Sequence, residues 1–181
     1  MTNVSRIAAA ANLGAAIVTV ALFMSAIASP AAADTVRWRS IAGSQPFFNN
    51  AGATQPNLVD AIPPGGRPWT TLGGRAKVNL ATGQVNFEVE GLVLLGGNTI
   101  GTPGAVNSVV GSVVCDVGLA TQQIINTPAV PLSPQGNAEF SGTVLIPSTC
   151  NSANIAFLVR IGPVAGAWIA AGIVKNSPKD D

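Results

Sequence analysis

The stretch RAKVNLATGQVNFEVE, Arg75 to Glu90, alternates apolar and polar side chains on both sides of a short polar break. Ala76, Val78 and Leu80 interleave with Arg75, Lys77 and Asn79; Val85, Phe87 and Val89 interleave with Asn86, Glu88 and Glu90. A side-chain period of two belongs to a half-buried strand with one apolar and one wet face. The two halves therefore predict an antiparallel hairpin. A slip of one residue would set Leu80 against Gln84 and scramble both faces, so the loop holds an even number of residues, two or four. With Thr82-Gly83 as the turn, Lys77 faces Glu88 and Arg75 faces Glu90. The two glutamates then read as half of an exposed charge ladder, Arg75, Lys77, Glu88 and Glu90. A catalytic acid instead needs burial or a like-charged neighbour to raise its pKa, and facing cations push the other way.

The same short-period grammar runs through the rest of the chain, punctuated by Gly, Pro, Asn and Ser, with no useful helical periodicity. Val36 to Ile41 predicts a first strand. Trp38 points to the core there, and Arg37 and Arg39 share the wet face. VNSVVGSVVCDVGL, Val106 to Leu119, predicts a strand buried on both faces. NAEFSGTVLI places Ala138, Phe140, Val144 and Ile146 on one face, and ANIAFLVRI with AWIAAGIV predicts a hairpin of near-central strands across GPVAG. These elements predict an all-β fold, an antiparallel β-sandwich of about eight strands of Ig-like or Greek-key type.

The N-terminus predicts the compartment. A short polar start with Arg6, an apolar run from Ile7 to Ile27, and small residues Ala31 and Ala33 ahead of Asp34 form the layout of a secretory signal peptide, residues 1–33; the competing reading is an uncleaved membrane anchor, because the apolar run is about long enough to span a bilayer. The 48% hydrophobic content is raised by that segment. The expected division is a signal peptide over 1–33, one domain over 34–175 and a polar, flexible tail over 176–181, with no membrane span after cleavage. The expected setting is secreted, periplasmic or cell-envelope, of bacterial style. Two cysteines in an oxidising compartment predict a disulfide between Cys115 and Cys150, closing a loop of about 35 residues.

The chain contains no histidine and no tyrosine. Ser-His-Asp and Cys-His devices and histidine metal sites are thereby excluded. The expectation is of no catalytic residue, no cofactor and no metal. Near-balanced charge removes any long-range pull on nucleic acid. The rival to a non-catalytic module is a hydrolase using acids such as Asp60, Asp116 or Glu139 across a cleft. A third reading is an adhesin or self-associating subunit. The long irregular stretch Gly43 to Pro68 supplies a candidate binding loop, Phe47, Phe48, Asn49 and Asn50 with Trp69 just past its far end, where aromatics beside amides could grip an envelope glycan or protein. The competing explanation is that these aromatics pin the loop to the domain.

GRAKVNLATGQVNFEVEGL, Gly74 to Leu92, resembles the opening hairpin of chordin-type (CHRD) domains: a Gly, an alternating strand, a short turn, a second alternating strand and a Gly-Leu. The resemblance implies an extracellular β-sandwich. The histidines of that family's next segment are absent where VLLGGNTIGTPG stands, so nothing that depends on them is implied.

Overall fold

The computed structural model describes residues 35–45, 47–48, 54–55, 59 and 62–176. In chain order the strands are β1 (Thr35–Gly43), β2 (Phe47–Phe48), β3 (Thr54–Gln55), β4 (Trp69–Thr70), β5 (Gly73–Asn79), β6 (Gln84–Glu90) and β7 (Val93–Leu94). They continue as β8 (Ser108–Cys115), β9 (Gln123–Asn126), β10 (Val130–Pro131), β11 (Ala138–Thr143), β12 (Ile155–Ile161) and β13 (Trp168–Asn176). The fold is all-β and its strand ladders are antiparallel, with no helix among the described residues. The main sheet runs β10-β8-β12-β13-β1-β5-β6-β11, and β9 pairs β8 on the same edge as β10.

This sheet curls until its two halves face each other, and those halves are the two layers expected of a sandwich. Phe157 of β12 lies 5.4 Å from Phe87 of β6 and 5.7 Å from Trp38 of β1, ring centre to ring centre. The approach depends on a glycine: a Cβ on Gly111 of β8 would sit 2.6 Å from the Phe87 ring and 3.1 Å from Phe157. Around these rings Val36, Val78, Val85 and Val89 are fully buried, as the alternation of β1, β5 and β6 requires.

The β5–β6 hairpin keeps the predicted faces but not the two-residue register. Val78 pairs with Val85, Ala76 with Phe87, Lys77 with Asn86, Arg75 with Glu88 and Gly73 with Glu90. The loop is the four-residue alternative, Leu80 to Gly83. Its cause is local: the Asn79 side-chain oxygen accepts from the Ala81 and Thr82 amides at 3.0 Å each, and Gly83 takes the left-handed φ of 71° that closes the turn. The ladder expected between Lys77 and Glu88 and between Arg75 and Glu90 is therefore corrected to one charged pair, Arg75 with Glu88.

β8 is buried on both faces, as its Val-rich sequence predicts. Its inner face lines the main core. Its outer face, with Leu158, Trp168 and Ala171, is covered by Val59 and Ile62 from the long stretch after β1. That stretch is tied down where Trp168 donates to the Pro63 carbonyl and accepts from Gly65 at 2.8 Å. β8 stops at Cys115 rather than Leu119 because Asp116 adopts φ 56° and turns the chain. β11 stops at Thr143 rather than Ile146 because its partner ends: Thr143 pairs with Gln84, and Val144 already donates to Gly83 in the hairpin loop. β12 and β13 form the predicted hairpin in the middle of the sheet.

Cys115 and Cys150 form the predicted disulfide, with Cα atoms 5.2 Å apart. It fastens the β11–β12 connection to the end of β8. Two outcomes are expected. Replacing both cysteines by serine lowers stability by about 3–4 kcal/mol, the loop-closure value for this separation, read as a lower urea midpoint without reductant. Gly111→Ala overpacks the aromatic contact and costs about 1–3 kcal/mol in thermal unfolding.

Candidate functional site

Alternation that buries one face of β1, β5, β6 and β11 puts the intervening residues on the other. The pairings align those outward side chains in rows across the strands. One row is Arg37, Lys77, Asn86 and Ser141, each Cα partnered with the next. The next holds Arg75, Glu88 and Glu139. Arg39 joins it on β1, because the register Trp38↔Ala76 carries Arg39 towards Arg75. These residues line a groove of about 780 Å³ on the outer sheet face.

The groove concentrates charge. Four of the chain's nine Lys and Arg side chains meet two carboxylates there. The cations all stand on β1 and β5, and the carboxylates on β6 and β11. Arg75 donates from Nη2 to Glu88 Oε2 at 3.0 Å, and the Ser141 hydroxyl donates to Asn86 Oδ1 at 2.6 Å. Arg75's side chain is 74% exposed, so this ion pair contributes little to stability. Two like-charged pairs also face each other directly, Arg37 with Lys77 and Glu88 with Glu139. Facing like charges destabilise a sheet. A second groove of about 630 Å³ adjoins the first between β6–β11 and β10, shares Glu88 and Glu139, and adds Glu90.

The other sequence candidates fall elsewhere. Trp69 is 3% exposed within the main core, its amide donates to the Ser44 carbonyl at 2.7 Å, and β4 pairs with β7. It pins the end of the long stretch to the domain. Phe47 and Phe48 form a two-residue ladder with Thr54 and Gln55, regular structure where Pro and Gly content predicted none. Asn49, Asn50 and Asp60 lie outside the described residues. Asp116 is built into the turn after β8: its carboxylate accepts from the Thr121 hydroxyl at 2.9 Å and its carbonyl from the Leu119 amide. Glu139 is instead in the groove, opposite Glu88.

Sequence reasoning placed Arg37 and Arg39 on a wet face but missed that they join the cations of β5. The β1–β5 pairing joins strands separated by the long stretch, and no local pattern reports it. Arg160 serves the fold. Its guanidinium donates to the carbonyls of Gly166 at 2.7 Å and Ala165 at 2.6 Å, which secures the β12–β13 connection, and burial pushes its pKa below the ordinary arginine value. Among the described residues no cluster of three or more His, Cys, Asp or Glu could hold a metal ion, and no helix is long and apolar enough to cross a membrane.

The groove charges make a stability test. Glu139→Gln removes a facing like charge and raises stability by a few tenths of a kcal/mol at low salt, roughly the scale of such cross-strand pairs. Arg75→Ala lowers it by under about 1 kcal/mol. Both differences shrink in urea titrations at high salt.

Compared with known proteins, the chain matches no family model, no curated protein and no solved structure.

Proposed function

We propose that the mature chain is an exported, non-catalytic binding module that presents its charged groove to a component of the cell envelope or medium. The observation that carries this reading is the convergence of four cations from two neighbouring strands in one open groove. The export signal read over residues 1–33, the Cys115–Cys150 bridge and the resemblance of Gly74–Leu92 to chordin-type domains support an extracytoplasmic setting. The absence of histidine from the whole chain supports binding over triad or imidazole chemistry.

A hydrolase reading keeps one favourable observation, because Glu88 and Glu139 face each other in the same groove. Against it, Glu88 is engaged by Arg75, which suits electrostatic positioning better than proton transfer. Self-association has its own feature in the β11 edge: among the described residues β11 pairs with β6, and Leu145 just beyond it is 92% exposed.

The test is a binding screen of the purified protein against arrayed glycans and purified envelope polymers. It is run beside Lys77→Glu in the groove and the Phe47→Ala, Phe48→Ala double variant in the long stretch. Binding lost in the groove variant and kept in the loop variant is the expected result. The reverse pattern moves the site to the loop and overturns the groove reading. Release of reducing ends from any bound glycan, abolished by Glu139→Gln, overturns the non-catalytic reading. A mass by light scattering that rises with concentration and falls to monomer on Leu145→Asp replaces it with self-association.

A further inference from the structure

We propose that the free edge of β11 is a second binding site, which takes an extended peptide as an added strand and seats one of its lysine or arginine side chains between Glu90 and Glu139. This goes beyond the binding reading above, because it uses the backbone of β11 and the second groove. The main sheet ends on β9 and β10 at one edge and on β11 at the other. The two edges are built differently. Pro128 and Pro131 stand in the first, and a residue without an N–H is poorly suited to take up a further strand. From Gln135 to Ile146 the chain has no proline. The register of β11 fixes which groups it offers. Thr143 pairs with Gln84, and Val144 donates to the Gly83 carbonyl at 2.9 Å. Successive residues of an antiparallel strand bond to opposite sides. Ala138, Phe140 and Gly142 therefore bond to β6. Glu139, Ser141 and Thr143 direct their N–H and C=O groups to the open side, where among the described residues no strand pairs with them.

The side chains along that edge identify the occupant. Glu139, Ser141 and Thr143 are exposed, while Phe140 and Val144 are half-buried against the margin of the core. An added strand lays alternate side chains beside each set, so a fitting peptide alternates apolar with polar residues. Charge selects one position. Glu90 and Glu139 line the second groove, on the open side of β11, together with Leu72, Val130 and Pro131. Both carboxylates are exposed, and among the described residues neither forms a salt bridge, whereas Glu88 is held by Arg75. A lysine or arginine on the added strand would lay its methylenes against Leu72 and Val130 and its charge between the two carboxylates. A second copy of this chain does not supply that charge, because its own edge, Ala138 to Ile146, contains no Lys or Arg. A polyanion would bring like charge to Glu90 and Glu139.

The purified protein is titrated, by fluorescence anisotropy, with labelled short peptides of alternating valine and threonine. Each carries lysine, glutamine or glutamate in place of one threonine, moved along the sequence. The tightest lysine peptide is also made with its backbone N-methylated at alternate residues, in two copies, one for each edge of the strand. The expected result is that lysine peptides bind about tenfold more tightly than their glutamate counterparts at low salt and that the preference shrinks at high salt. Methylation along one edge weakens binding by about tenfold or more, and along the other edge leaves it level, the signature of strand addition. Glu139→Gln removes most of the lysine preference. Thr143→Pro deletes an outward N–H and no bond to β6, and it abolishes binding with the unfolding midpoint unchanged. The methylated pair puts the same question to the unaltered protein, independently of how that variant folds. Three results overturn the inference: no peptide binds, the two methylated copies bind alike, or the lysine preference survives Glu139→Gln. A mass by light scattering that rises with concentration and falls to monomer on Thr143→Pro gives the edge to a second copy and overturns it too.

Discussion

The fold rests on aromatic rings seated over glycines. Phe87 and Phe157 pack against the backbone at Gly111, and Trp38 packs against Gly172, where an added Cβ would lie 2.6 Å from the indole. Rings of this size fill a core efficiently only where the facing strand gives up its side chain. The gap at Gly111 lets β6 close on β8 across the core, and the gap at Gly172, on the strand paired with β1, makes room for the indole within the sheet. With that contact made, which residues point inward on β1, β5, β6 and β11 is no longer free. The outward set follows by alternation, and with it the array of charges. The groove is thus a consequence of core packing.

Much of this was legible in the chain because alternation is a local signal. The hairpin faces, the double burial of β8, the central β12–β13 pair and the disulfide all follow from neighbouring residues or from composition. Register was less legible. Shifting the β5–β6 pairing by two residues leaves every side chain on its own face, so the apolar pattern tolerates both arrangements. The choice falls to Asn79 and Gly83, whose turn chemistry stretches the loop to four residues. Strand order was not legible at all. The meeting of β1 with β5 joins segments separated by the long stretch that also straps the outer face of β8, β12 and β13. Charges that looked like a self-neutralising ladder within one hairpin became, with a third strand beside them, a segregated surface.

Balanced composition conceals that segregation. Nine basic and eight acidic residues sum to almost nothing, and a whole-chain tally argues against any polyanionic partner. Electrostatic recognition is nevertheless local within a Debye length of about 8 Å at physiological salt. Over that distance Arg37, Arg39, Arg75 and Lys77 gather on one side of the groove, and Glu88 and Glu139 on the other.

The strap laid across β8, β12 and β13 gives the molecule a front and a back. Val59 and Ile62 pack against Leu158 and Trp168 and cover that outer face of the sheet, while the charged groove on β1, β5, β6 and β11 is open.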